Sequence, residues 1–254
     1  MTALPFADRA AGAVLRGAPN FRDLGGLPTH GGGSVRHRLL FRSGHLGELH
    51  AQDIALLQAR LGHAVCVADL RGAVERERFG CALPAARVHS LPIEPTVAQR
   101  LTALTDAGQP MTPEIARQFM REAYQGFVRN AGPRLAAFFD LVDALEGRPL
   151  VVHCAAGKDR TGFVIGLLLE TLGVPRAAVM QDYLLTNERV PPHDTGRFPP
   201  EIMAVLGTVR EEFLQAAWET IDGERGGLDA YLESVAGLTP ARRARLQAAF
   251  VQAA

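Results

Sequence analysis

The stretch that decides the fold is Leu150-Val151-Val152-His153-Cys154-Ala155-Ala156-Gly157-Lys158-Asp159-Arg160-Thr161-Gly162. Its apolar start reads as a short strand ending at His153, and an apolar helix begins near Thr161, runs to Leu172 and stops at Gly173 with Pro175 beyond. Between them, the residues from Ala155 to Asp159 separate Cys154 from Arg160. A loop of this size can wrap the backbone N–H groups of Ala155, Ala156, Gly157 and Lys158 around one small tetrahedral anion. Loop amides and the positive end of the helix together form an anion nest, and the same field favours a thiolate at Cys154. Arg160 can hold two oxygens of the anion bidentately and stabilise charge that develops on them. Thr161 stands where its hydroxyl can donate to the sulfur.

Outward from this loop, strands and helices alternate. Val35 to Phe41 reads as a strand, and Ile54, Leu57 and Leu61 give Ala51 to Leu61 a helical spacing. Ala64 to Leu70 is a near-continuous apolar run, the mark of a strand buried on both faces, and Arg87 to Leu91 is a further strand. Pro92 to about Gly147 is helical by pattern, with a break near Gly108–Pro113 and an aromatic-rich stripe at Phe119, Met120, Ala123, Tyr124 and Phe127. The stripe fits core packing, and also the underside of a mobile cover over a site. Helical stretches follow at Arg176 to Thr186, Pro200 to Ile221 and Leu228 to Val235. A last helix is opened by Thr239 as N-cap and Pro240 at its first position. The pattern predicts one α/β domain over residues 1–254, with a central sheet flanked by helices and a helical lid inserted from about Pro95 to Ala144.

Composition narrows the function. The chain has 254 residues, 47% of them hydrophobic, and its 27 basic and 27 acidic residues cancel. That balance excludes broad attraction to nucleic acid or to an anionic membrane. Lys158 is the only lysine, beside 26 arginines. A lysine at a tight site resists exchange for arginine, because a compact ammonium and a planar guanidinium are not equivalent. Cys66, Cys81 and Cys154 make neither a disulfide framework nor a zinc pattern, which predicts a reducing compartment, the cytoplasm, and no metal. The opening MTALPFADRAAGAVL carries Asp8 and lacks a basic start, so no signal peptide is expected. The longest apolar run, Phe163 to Leu169, is too short for a membrane span.

His153 to Gly162 resembles the HCxxGxxRTG loop of the cysteine-dependent protein-tyrosine phosphatase superfamily. In its form HCxxGKDRTG it is similar to bacterial atypical tyrosine phosphatases that also act on phosphoinositides. NFRDLGG at Asn20 to Gly26, FRSGHL at Phe41 to Leu46, DLRGAVE at Asp69 to Glu75, DYLLTN at Asp182 to Asn187 and GGLDAYL at Gly226 to Leu232 extend the likeness over nearly the whole chain. The resemblance implies a central sheet with a phosphate loop after the strand at Leu150 to His153. It also implies hydrolysis of phosphotyrosine, with phosphoserine, phosphothreonine and phosphoinositides as further substrates. Cys154 would be the nucleophile and Arg160 the phosphate clamp, with no cofactor, and His153 would orient the loop beneath the sulfur. The substrate would be a phosphoprotein or a phospholipid headgroup.

The general acid stays open between two residues. Asp159 lies inside the loop, and Asp69 closes its strand at the sheet edge where α/β sites gather. Either could instead pair with Arg22, Arg42 or Arg71. Lys158 with Asp159 resembles the KD pair of phosphatases with lipid activity, suited to a second phosphate. Asn20, Arg22 and Asp23 are expected near the mouth as polar positioning groups. Cys66 reads as a small core residue or as a thiol that protects the nucleophile by disulfide formation. Two rival readings are a different Cys-x5-Arg thiol enzyme, such as an arsenate reductase, and a catalytically silent phosphate-binding module.

Overall fold

The apolar strands read at 64–70 and 150–153 lie side by side at the centre of a sheet in the computed structural model, which describes residues 15–62, 65–94, 96–145, 148–190 and 196–253. The opening 14 residues, on which the signal-peptide argument turned, fall outside the described residues, as do Ala64 and Pro95. The first half contains β1 (Arg22–Asp23), β2 (Ser34–Val35), β3 (Leu40–Ser43), α1 (Ala51–Leu61), β4 (Cys66–Asp69), α2 (Ala73–Arg78) and β5 (Arg87–Ser90). Then come α3 (Val97–Asp106), α4 (Pro113–Asn130), α5 (Gly132–Asp143), β6 (Leu150–His153) and α6 (Asp159–Thr171). The chain closes with α7 (Arg176–Leu184), α8 (Thr186–Arg189), α9 (Pro200–Leu206), α10 (Glu211–Arg225), α11 (Leu228–Ala236), α12 (Pro240–Phe250) and β7 (Val251–Gln252).

The main sheet has the order β1-β3-β6-β4-β5, parallel except for β1, which runs antiparallel to β3. Side chains alternate between its faces, and this alternation sorts the core in two. Leu40, Cys66, Ala68, Leu150 and Val152 point into the larger cluster, with the buried residues of α4, α5, α6 and α10. Phe41, Val67 and Val151 point the other way, against Leu57 and Leu61 of α1. With β6 between β3 and β4, its C-terminal end opens at the middle of the sheet, where Cys154 sits. No helix among the described residues is long and apolar enough to cross a membrane.

Three elements depart from the sequence pattern. The strand expected at Val35 to Phe41 is divided: Ser34–Val35 pairs with Val251–Gln252 in a separate ribbon, and the sheet strand begins at Leu40. Arg38 adopts φ 65° between them, and its N–H is caught by the Asp23 carboxylate at 3.0 Å, so the chain turns there. The helix expected from Pro200 to Ile221 breaks after Leu206, because Asn187 exchanges two hydrogen bonds with the Val209 backbone (2.9 and 2.8 Å) and draws it out of helical pairing. The middle segment breaks near Gly108–Pro113 as read, where Thr112 caps α4 through Ile115 N at 3.2 Å. It also breaks at Ala131, ahead of Gly132 and Pro133. Its aromatic stripe packs inward: Met120, Ala123, Tyr124 and Phe127 are buried, and Phe119 lies beneath the Arg100 guanidinium at 3.8 Å.

Candidate active site

Cys154 is buried at 3% exposure, immediately after β6, and Arg160 lies in the first turn of α6 at 7%. The loop between them is held by its carbonyls. Ala155 O accepts from His45 N at 2.9 Å, and Gly157 O accepts from Asn20 Nδ2 at 2.7 Å and Arg42 Nη2 at 2.9 Å. In a trans peptide the C=O and the following N–H point in opposite directions. Binding those two carbonyls to the framework therefore turns the amides of Ala156 and Lys158 toward the inside of the loop. The earliest hydrogen bond of α6 runs from Gly162 N to Lys158 O at 2.8 Å, so the amides of Asp159, Arg160 and Thr161 stand at the open helix start. Cysteine and arginine thus flank a ring of donors fit for a tetrahedral anion.

Two glycines make the arrangement possible. Gly157 has φ 66°, and a Cβ there would lie 2.1 Å from Ser43 O. A Cβ on Gly162 would lie 2.8 Å from the Tyr183 ring. Both positions admit only hydrogen.

Arg160 is aimed by Glu75, whose carboxylate takes Nη1 at 2.6 Å and Nη2 at 2.7 Å. Burial opposes the guanidinium charge, but Glu75 and the nearby Cys154 outweigh it and raise the Arg160 pKa. Glu75 feels the reverse: burial alone would raise its carboxyl, while Arg160 and the Gly72 N–H hold it below its ordinary value.

A second layer lies behind the loop. Asp182 of α7 accepts from Arg22 Nε and from Arg42 Nη1, both at 2.8 Å, and Arg22 also donates to Asn20 Oδ1. Asn20 and Arg22, expected at the mouth, are thus buried and engaged with the loop's supports. Asp23 is turned to Gly25 N at 2.8 Å and Arg38 N, organising the turn before β3.

The two carboxylates considered as general acid have different surroundings. Asp69 is buried and forked by Arg71, with Nε at 2.9 Å from Oδ1 and Nη2 at 2.7 Å from Oδ2. Burial would raise its carboxyl, yet Arg71 and the neighbouring His153 bring it below its ordinary value. Asp159 is partly open, accepts from Tyr124 Oη at 3.1 Å, and has Lys158 Nζ 3.7 Å from its Oδ2. Lys158 itself donates to the Leu206 carbonyl at the end of α9. His153 is fully buried, its Nδ1 3.1 Å from Cys154 O, and burial pushes its pKa down to about 4, so the ring is neutral near pH 7. Thr161 is fully buried too, and its hydroxyl has no partner among the described residues.

Cys66 cannot bridge to the nucleophile. It pairs in register with Leu150, four positions before Cys154, a separation of about 13 Å along the strand. A disulfide requires Cα atoms within about 7 Å. Its side chain packs in the larger core instead.

The sequence of the tyrosine phosphatase family matches this chain over residues 13–252, a span that contains the loop and all its supports. The chain belongs to the tyrosine phosphatase family. The triple specificity protein phosphatase PtpB of Mycobacterium tuberculosis is 34% identical over 92% of this chain and 96% of its own length. A Cupriavidus necator protein assigned to the tyrosine phosphatases is 34% identical over 84% of this chain and 80% of its own. Among solved structures, Pseudomonas aeruginosa TpbA aligns over 73% of this chain and 89% of its own, with 19% identity and a TM-score of 0.32. Membership of that family makes the chain a phosphatase. Glu75, Asp182 and Tyr183, which touch Arg160, Arg42 and Tyr124 around the loop, were given no role by sequence reasoning, and Arg42 only that of a possible partner of Asp69 or Asp159. Each lies in one of the segments FRSGHL, DLRGAVE and DYLLTN that signal the family.

Proposed function

We propose that the chain hydrolyses phosphotyrosine through a phosphocysteine on Cys154, and that phosphoinositides and phosphoserine or phosphothreonine are further substrates. The observation that carries this is the cradle: Cys154 and Arg160 facing one ring of amides whose carbonyls are tied back to His45, Asn20 and Arg42. The Cys154 thiolate attacks phosphorus, the S–P bond forms and the ester P–O bond breaks. Asp159 gives its proton to the leaving oxygen. Water then attacks phosphorus, its proton passes to Asp159, and the S–P bond breaks to release phosphate. The Thr161 hydroxyl, buried and without a partner among the described residues, turns to donate to the departing sulfur. Asp159 is favoured over Asp69 because Asp69 is consumed by the Arg71 fork, whereas Asp159 is partly open within the loop itself. Asn20, Arg22 and Asp23 act as supports of the loop and its approach.

Lys158 has three N–H donors and gives one to Leu206, which supports a role toward a second phosphate on a lipid headgroup. The mechanism needs a reduced Cys154, in keeping with a cytoplasmic setting. Within a single phosphatase domain, α4 and α5 each bury a face in the larger core, while α3 buries Leu101. We propose the cover over the site within residues 95–144, with α3 and the turn that follows it as its least anchored part. The test is phosphate release, without metal, from phosphotyrosine, phosphoserine and phosphothreonine peptides and from mono- to trisphosphorylated inositides, with Cys154→Ser alongside. Release that vanishes in Cys154→Ser is expected. Tight phosphate binding with no release from any substrate would show a binding module instead.

A further inference from the structure

Two buried phenols connect the body of the protein to Asp159. Tyr124 of α4 is fully buried, and its ring is fixed between Phe127 (centroids 5.3 Å apart) and Phe213 (6.1 Å). Its hydroxyl is 3.1 Å from Asp159 Oδ1 and 2.7 Å from the hydroxyl of Tyr183, which is itself buried on α7. Packing alone would be served by phenylalanine at either place. A buried hydroxyl carries a desolvation cost that a partner must offset, so the two oxygens need a reason to be there.

The order of the protons is set by the link to Asp159, since between the two phenols either oxygen could donate. A phenol has one proton to give. Tyr124 directs its proton to the Asp159 carboxylate, so its oxygen accepts from Tyr183. The series runs from Tyr183 through Tyr124 to Asp159 Oδ1, with each step a donation toward the carboxylate. Gly162 makes room for it, since a Cβ there would meet the Tyr183 ring.

We propose that Tyr124 and Tyr183 are positioning residues for the acid step: their relay occupies Asp159 Oδ1 and so places the transferable proton on Oδ2. This inference rests on the reading of Asp159 as general acid. With Oδ1 already accepting a hydrogen bond, the acid proton is directed to the other oxygen, where it takes the place of the Lys158 ammonium 3.7 Å away. Tyr183 follows Asp182, so consecutive residues of α7 support both sides of the loop. Asp182 supports the Gly157 side through Arg42, and Tyr183 supports the acid through Tyr124.

The discriminating readout is leaving-group dependence. An ester whose leaving group is already acidic, p-nitrophenyl phosphate, needs little protonation; phenyl phosphate needs it. Wild type, Asp159→Asn, Tyr124→Phe, Tyr183→Phe and the double variant Tyr124→Phe/Tyr183→Phe are compared on both esters. The double variant removes both hydroxyls together, so neither phenol is left facing a lost partner. The expected result is a kcat for phenyl phosphate that falls about tenfold further than that for p-nitrophenyl phosphate in Tyr124→Phe and in the double variant. KM should stay near wild type for both esters, and the same signature should be larger in Asp159→Asn. Equal loss on both esters, or wild-type ratios in the tyrosine variants beside a clear signature in Asp159→Asn, overturns the relay and leaves the acid assignment standing. No signature in Asp159→Asn overturns the acid assignment, and the relay with it.

Discussion

Replacing Asp182 by asparagine isolates the charge that holds the phosphate loop from behind. The amide keeps the size and shape of the carboxylate, so no cavity opens; what disappears is the anion between two guanidiniums. Arg22 Nε and Arg42 Nη1 each lie 2.8 Å from it, and all three side chains are at most 2% exposed. The two arginines also face each other in register across β1 and β3, where like charges are unfavourable. Burial, with help from the Arg42 charge, has already brought the Arg22 pKa down to about 10 against the pull of Asp182. Breaking a buried pair by removing one partner costs about 3–5 kcal/mol. Here two cations share one anion, which places the expected loss in the upper half of that range. At roughly 2–4 °C per kcal/mol for a chain of this size, Tm should fall by roughly 8–20 °C. Calorimetry and urea melts of wild type and Asp182→Asn measure the difference. The carboxyl of Asp182 is held far below its ordinary value: burial opposes this, and the two arginines outweigh it. Its contribution is therefore complete above the unfolded carboxyl pKa near 4 and is lost only as pH falls through the lower folded value. The gap between the two proteins should thus be flat from pH 5 to pH 8. A Tm within about 2 °C of wild type, or a gap that closes as pH falls from 8 to 5, would refute the assignment of the loop's support to this charge.

Three further outcomes follow from the same geometry. Gly157→Ala should abolish turnover and lower Tm, because the new methyl would stand 2.1 Å from Ser43 O at a backbone with φ 66°; wild-type kcat in a folded Gly157→Ala would show that the loop can move aside. Glu75→Gln removes the charge that aims Arg160, so kcat/KM should fall about tenfold or more and vanadate should bind correspondingly more weakly; unchanged vanadate affinity would mean that Arg160 is aimed by the carbonyls of Leu70 and Ile93 alone, which accept from its Nη1 at 3.4 and 3.3 Å. His153 stays neutral in the folded state down to about pH 4, while an unfolded histidine takes a proton near pH 6.5. Stability should therefore decline by about 3 kcal/mol as pH falls from 6.5 to 4, and urea melts of His153→Asn across that window should show a shallower decline.

What was legible in the sequence was local. The strand, loop and helix from Leu150 to Thr171 are neighbours in the chain, and their chemistry depends on amides that any residues in that conformation would present. The central strands announced themselves through burial on both faces, and α12 through its Thr239–Pro240 start. What escaped were partnerships between residues far apart in sequence. Arg160 and Glu75 are separated by 85 positions, and Arg22 and Asp182 by 160. Nothing in the periodicity of either segment says which arginine meets which carboxylate. In a chain with 27 acidic residues and 26 arginines, charge alone permits too many pairings. The parallel sheet selects among them. It puts Arg22 and Arg42 on one face beside α7, and Asp69 next to His153 on the other.

The tyrosines show the same limit from the other side. Tyr124 was correctly legible as a core residue, since its spacing with Met120 and Phe127 is that of a buried helix face. That reading accounts for the ring and is silent about the oxygen. A hydrophobic pattern registers the six ring carbons of a phenol as it would those of phenylalanine, and only the assembled fold reveals that the hydroxyl ends 3.1 Å from Asp159. The strand, loop and helix could therefore be read from one peptide, whereas the contacts of Glu75, Asp182 and the two tyrosines with them exist only once α2, α4 and α7 have been brought to the same end of the sheet.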